Sequence, residues 1–240
     1  MRDEIRAGDL LDVWVLRLPP PGTPLSGPLH ESELSEDERA RGASFRRPAD
    51  ALRYRASHVA LRRVLAPYAG IAPRDLEFGR SACPNCGGPQ GRPVLAVPGR
   101  PVHFSLSHGA GLVAVAVASA PVGADVQRVP SAATVELCTG ALHSAERAEL
   151  ARCPQDERRA EFARVWTRKE AYLKGIGTGL CRSSRLDYLG SDPARRPPGW
   201  TVHDLAADHR YGAAVAFGGP GNVLPTLRAL SWDTLLRPAG

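Results

Sequence analysis

The feature that most constrains this chain is LVAVAVA at residues 112–118, seven apolar residues with no polar interruption. A strand with one wet face alternates apolar with polar, so a β-branched run without alternation reads as a strand covered on both faces. Any fold that holds it must stack layers on either side. YGAAVAF at 211–217 is built alike, about a hundred residues later. Each run sits late in its own half of the chain, a pattern of two related halves that falls short of a sequence repeat. The 240 residues, 43% hydrophobic and 23% charged, suffice for a packed core in one large domain or two small ones. Global disorder is excluded.

The longest apolar stretch, 112–120, is far short of the roughly 18 to 20 residues a membrane span requires, so no membrane partner is expected. The opening MRDEIRAGDL lacks a basic segment followed by an apolar one, and five cysteines is an odd number; both point to a reducing cytoplasm. An excess of 31 Lys+Arg over 25 Asp+Glu gives a net charge of +6 spread along the whole length. That favours anionic partners in general without selecting one. Lysine occurs only at Lys169 and Lys174, in one segment, against a composition that otherwise uses arginine.

Residues 13–18 (VWVLRL) read as an opening strand, ended by Pro19, Pro20 and Pro21. Ser35 before Glu36, Asp37 and Glu38 is an N-cap with an acidic first turn, predicting a short helix to Phe45. Over 49–68, Leu52, Val59, Leu61, Val64 and Leu65 recur at helical spacing between Arg53, Arg55, Arg62 and Arg63, predicting an amphipathic helix with a basic outer face. Residues 78–97 read as loop. Phe104 and Leu106 lead to a tight turn at Ser107-His108-Gly109, and 122–126 is a further strand with Asp125 among apolar neighbours. Ser144 caps a helix carrying Glu146 and Glu149, and Pro154 is placed as the first residue of a second helix running to Gly175. The tail reads as strands around Leu186, Trp200 and 211–217.

Three acids have local reasons to lie near the core: Asp125 in a strand, Glu146 in a capped first turn, and Glu170 on the helix face that carries Trp166 and Lys174 at i, i+4 spacing. Two or three carboxylates converging on a hard cation would bind Mg²⁺ through oxygen. Taken singly, the Asp could cap a turn and the helical Glu could pair with Lys174 at the surface. Ser107-His108-Gly109 could offer a hydroxyl, an imidazole and backbone N–H groups to phosphate oxygens. Adjacent strand residues point to opposite sides, so this Ser-His pair is not a nucleophile and its base, and no G-x-S-x-G occurs. Cys83-x-x-Cys86 is half a zinc site, which Cys138, Cys153 or a His would have to complete; otherwise it is a turn with two reduced thiols.

These residues fall in ordered blocks: Gly91-Arg92-Pro93; Phe104-Ser105-Leu106-Ser107-His108; Val122-Gly123-Ala124-Asp125; and a W-x-x-K-E-A-x-x-K segment from Trp166 to Lys174, closed by Gly177-Thr178-Gly179-Leu180. In them the chain resembles the 4′-phosphopantetheinyl transferases of the surfactin-synthetase-activating (Sfp-like) group. The resemblance implies an α+β fold of two similar α/β halves related by a pseudo-twofold axis, here 1–121 and 122–240, with the active site between them. It implies a monomer that moves the phosphopantetheine arm of coenzyme A to a serine of an acyl or peptidyl carrier protein. Carried over by residue, it makes Asp125, Glu146 and Glu170 Mg²⁺ ligands, with Glu146 also the candidate base. Lys174 would meet the pyrophosphate, Ser107 and His108 the phosphates of coenzyme A, Arg92 the adenine, and Arg41 and Arg53 the 3′-phosphate. Many relatives carry a second acid two residues after the aspartate; here that position is Gln127, and water is expected to fill the coordination site.

Two other readings remain. A nucleic-acid-binding module would rest on the positive charge and the arginine-rich helix, but it lacks aromatic interleaving and any recognised motif, so no nucleic-acid partner is expected. A coenzyme A binder that keeps the fold without the activity would rest on Gln127 alone. The carrier's pathway, whether polyketide, nonribosomal peptide or fatty acid synthesis, is not written in the residues.

Overall fold

The computed structural model describes residues 10–20, 22–23, 27–96 and 102–238. The opening residues 1–9, Pro21 and Val97, on which parts of the sequence reading rest, lie outside the described residues. The fold is mixed α+β. In chain order it runs β1 (Leu11–Arg17), α1 (Glu36–Ala43), α2 (Pro48–Ala69), β2 (Phe78–Arg80), β3 (Pro93–Leu95), β4 (His103–Gly109), β5 (Leu112–Ala118), β6 (Val122–Arg128), α3 (Ala132–Thr139), α4 (Ser144–Arg152), α5 (Arg158–Ile176), β7 (Thr201–Asp204), β8 (Tyr211–Phe217) and β9 (Thr226–Leu230).

β5 is buried along its whole length, as its sequence demands. Val113, Val115 and Val117 pack with Val59, Val64 and Leu65 of α2, while Ala114, Ala116 and Ala118 pack with Ala124, Val126 and Val215 of a second sheet. The period of two thus sends valines to the helix and alanines to the sheet. The layers run α2, then the sheet β4-β5-β1-β9, then the sheet β6-β8-β7, then α5. β1 is antiparallel to β5 but parallel to β9, so the end of the chain completes the sheet begun at its start. A boundary at 121/122 therefore divides the chain but does not separate two independent sheets.

Several expectations are corrected. The 78–97 segment holds a short antiparallel pair, β2 and β3, around the cysteine loop. The turn after β4 lies at Ala110 and Gly111, both at positive φ, because Ser107, His108 and Gly109 still pair with β5. α5 begins at Arg158; Pro154 starts a preceding turn whose carbonyl accepts from the Glu157 and Arg158 N–H groups. Leu186 is exposed in a turn, and β9 was not anticipated. α2 does not present a uniformly basic face. Arg62 is buried, and Arg53, Arg55, Arg62 and Arg63 are paired with Asp50, Glu31, Glu38 and Glu33.

The two sheets meet where β4 lies against β6. The Ser105 hydroxyl accepts from the Ala124 N–H (3.0 Å) and the Ser107 hydroxyl from the Val126 N–H (3.2 Å), so side-chain oxygens satisfy backbone donors that no strand partner reaches. On its other side β6 touches α5 directly at Gly123, where an added Cβ would stand 1.9 Å from the Ala171 carbonyl oxygen. Gly123→Ala must push α5 off the sheet. Overpacking at such a contact costs about 3 kcal/mol, and we expect a correspondingly lower urea midpoint with an unchanged m-value.

Candidate active site

Gly123 and Asp125 lie on one face of β6 by the two-residue period, and Glu170 and Lys174 follow each other by one turn of α5. Seating α5 on Gly123 therefore carries all three side chains to one place. Asp125 is 3% exposed, and its Oδ1 accepts from the Ser107 hydroxyl (2.9 Å) and from Lys174 Nζ (2.7 Å). Lys174 Nζ also donates to the Ser107 hydroxyl oxygen (3.1 Å) and the Ala124 carbonyl (3.2 Å). Asp125 Oδ2 is buried with no hydrogen-bond partner among the described residues. Glu170 is half-buried, and desolvation, then the nearby Asp125 charge, raises its acid above the ordinary range, with Lys174 opposing. An orphaned carboxylate oxygen beside a second carboxyl, with one ammonium between two acids, is a donor set short of positive charge. It fits a hard divalent cation.

These groups line a cleft of about 570 Å³ with His108, Gln127 and Arg128. It adjoins a larger cleft of about 870 Å³ that shares Leu106 and Lys174 and is otherwise walled by residues such as His58, Phe78, Arg92 and Gly177. The larger one is of a size for a small organic ligand. Glu38 on its wall is brought down to about 2, against the upward pull of burial, by hydrogen bonds from His58, the Ser35 N–H and Arg62. His108 sits below the ordinary imidazole range because of desolvation and the like charges of His58, Arg53 and Lys174.

The structure brings together Asp125, Glu170, Lys174, Ser107 and His108. Arg92 lines the larger cleft and donates to the Gly175 carbonyl (3.4 Å) at the end of α5. Arg53 reaches His108 through its charge while paired with Asp50, and Arg41 lies over the Phe45 ring; neither lines either cleft. The Ser107 hydroxyl is engaged by Asp125, Lys174 and the Val126 N–H. One expectation changes. Glu146 does not join the other acids. It is fully buried and accepts from Lys169 Nζ (2.7 Å) and the Leu189 N–H (2.6 Å) on Oε1, and from the His143 N–H (2.8 Å) on Oε2. With an ammonium and two backbone donors, its carboxylate is already neutralised, and it ties α4 to α5. Sequence spacing missed Cys181, which stands with Cys83 and Cys86.

A family model described as the 4′-phosphopantetheinyl transferase superfamily matches residues 121–210. Over 223 residues, 89% of this chain and 90% of the relative, the chain is 30% identical to the 4′-phosphopantetheinyl transferase HetI of Nostoc sp.. It is 26% identical over 196 residues to a 4′-phosphopantetheinyl transferase of Bacillus subtilis, spanning 78% of this chain and 83% of that one. Its identity to the 4′-phosphopantetheinyl transferase Sfp of Bacillus subtilis strain 168 is 27% over 150 residues, 62% of each chain.

Glu146 and Lys169 both fall within the matched span. Burial pushes the Lys169 ammonium below the ordinary lysine range and the Glu146 charge opposes it, so removing Glu146 leaves a buried cation without its counterion. Glu146→Leu is expected to cost about 3–5 kcal/mol in urea unfolding, and Glu146→Leu with Lys169→Met to recover most of it. A catalytic acid would behave otherwise, with activity lost and stability kept.

Proposed function

The chain belongs to the 4′-phosphopantetheinyl transferase superfamily and is a transferase enzyme, and we propose that it is of the surfactin-synthetase-activating (Sfp-like) group, moving the phosphopantetheine arm of coenzyme A to a serine hydroxyl of an apo acyl or peptidyl carrier domain. The bond formed joins the serine oxygen to the β-phosphorus; the bond broken frees adenosine 3′,5′-bisphosphate. The reading makes the chain a cytoplasmic monomer serving polyketide, nonribosomal peptide or fatty acid synthesis.

The observation that carries this reading is the orphaned Asp125 Oδ2 beside Glu170. Asp125 and Glu170 would hold Mg²⁺, which when bound neutralises charge on the pyrophosphate. Lys174 supplies the fixed cation at the junction of the two clefts, where a pyrophosphate joining a nucleotide in the larger cleft to an arm in the smaller would lie. Ser107 holds Asp125 and Lys174 in register. His108 offers its ring N–H to a phosphate oxygen, and Arg92 borders the nucleotide. Glu170, without a hydrogen bond among the described residues, replaces Glu146 as the acceptor of the serine proton. Gln127 is exposed on the cleft, two residues from Asp125 and on the same face, where an amide leaves a ligand position to water. Exposed Arg128 beside it suits an acidic carrier.

Incubation with coenzyme A, Mg²⁺ and an apo carrier domain should add the phosphopantetheine mass to the carrier. Asp125→Ala and Glu170→Ala should each slow that gain at least ~100-fold with the circular dichroism unchanged; near-normal rates in either would contradict the assignment. Gln127→Glu should remain active and reach half-maximal rate at lower Mg²⁺.

His108 generates a pH dependence. Desolvation and the neighbouring cations hold the free imidazole below its ordinary range, and bound phosphates pull it upward, so the complex binds more protons than its parts. Affinity for coenzyme A should therefore strengthen as pH falls through the bound-state value and level off once both states are protonated. Calorimetry across pH should show proton uptake that His108→Gln removes; an unchanged profile in that variant would take His108 off the phosphates.

A further inference from the structure

We propose that Cys83, Cys86 and Cys181 form a thiolate site for a zinc-class divalent cation, clamping the cysteine loop to the short turn Gly179–Cys181 that follows α5. Their sulfurs all lie within 4.8 Å of one another. Two sulfurs on one tetrahedral zinc, each about 2.3 Å from it, stand about 3.8 Å apart, and Cys86 Sγ and Cys181 Sγ stand 3.9 Å apart. A disulfide would need about 2.05 Å.

The loop is folded as a ligand-presenting turn. The Cys83 carbonyl accepts from the Gly87 N–H and the Cys83 N–H donates to the Gly88 carbonyl, both at 2.8 Å, with Gly87 at φ +71°. The Asn85 and Cys86 N–H groups hydrogen-bond the Cys83 sulfur, the arrangement that favours thiolate. Asn85 Nδ2 also donates to the Cys181 carbonyl (2.9 Å), fixing the third sulfur's backbone to the turn that carries the other two. Hydrophobic packing does not explain the cluster, since Cys86 and Cys181 are exposed. No other Cys, His, Asp or Glu joins the three among the described residues, so solvent completes the tetrahedron.

The consequence is mechanical. The clamped loop leads into Gly91 and Arg92 on the wall of the larger cleft, and Gly177, at φ +80°, packs against Arg92 from the end of α5. A cation joining the loop to Cys181 closes this same joint from outside. The inference stands on the three thiols alone and is independent of the transferase reading.

The full chain, purified under reducing conditions without chelator, is loaded with Zn²⁺, desalted and assayed for metal and free thiols. We expect about one zinc per chain, lost in Cys86→Ser and Cys181→Ser and kept in Cys138→Ser and Cys153→Ser. Replacement by Co²⁺ should give thiolate-to-cobalt charge transfer and intense tetrahedral d–d bands. EDTA should lower the melting temperature of the wild type and leave Cys181→Ser unmoved. Substoichiometric zinc with no cobalt charge transfer would overturn the site. So would full zinc retention in Cys181→Ser, or a Cys86–Cys181 disulfide in the reduced preparation by mass.

Discussion

One buried carboxylate oxygen holds the working parts of this molecule in register. Taking a carboxylate out of water costs several kcal/mol unless it is paired, and Asp125 meets that cost by drawing Ser107 from β4 and Lys174 from α5 onto Oδ1. Strand, neighbouring strand and helix thus converge on a single atom at the seam between the sheets. Because Oδ1 satisfies both partners, Oδ2 is left without one. The same interaction that stabilises the seam leaves the site short of one positive charge, which is the electrostatic condition for binding a cation.

That convergence needs small residues more than polar ones. A Cβ at Gly123 would meet the Ala171 carbonyl oxygen at 1.9 Å, and one at Gly212 would meet the Ala163 carbonyl oxygen at 2.8 Å, so α5 lies on the sheet at backbone distance. That closeness sets Lys174 on Asp125 and brings Glu170 near enough to feel its charge. The glycine of the G-x-D block is therefore a spacing device, and the aspartate two residues later is its beneficiary. The alanines of β5 do similar work between the sheets, letting the layer that carries Asp125 come close to the layer that carries Ser107.

Sequence legibility followed the range of the interactions. LVAVAVA declared its two covered faces because burial acts on every residue of a strand, and the i, i+4 spacing of Glu170 and Lys174 is a property of one helix. Glu146 is buried, as an acid with a reason to lie near the core should be, but nothing nearby in the sequence announces that its partner is the Lys169 ammonium of another helix. Cys181 was missed for a related reason. It follows a helix, 95 residues from Cys86, and has no spacing relation to the C-x-x-C turn. β9 was unseen because TLRAL is exposed along most of its length, so its pairing with β1 leaves no alternating pattern to read.

The chain's two lysines show how one residue type takes opposite roles on one helix. Five residues advance an α-helix by about 140° beyond a full turn, so Lys169 and Lys174 leave α5 on different sides. Lys169 goes inward, 2% exposed, to Glu146 and the Asp187 carbonyl. Lys174, with a third of its side chain open, goes to the cleft. In a chain that uses arginine almost everywhere else, both positions call for a compact ammonium. At Lys169 the pocket offers a carboxylate oxygen and a carbonyl to a point charge, where a planar guanidinium would leave donors unmet. At Lys174 three oxygens from two strands sit around one nitrogen at 2.7–3.2 Å, a cage that a rotating ammonium fills and a rigid fork does not. The choice of lysine is thus made by the shape of the oxygen sets it meets, first in holding α4 on α5 and then in facing the cleft.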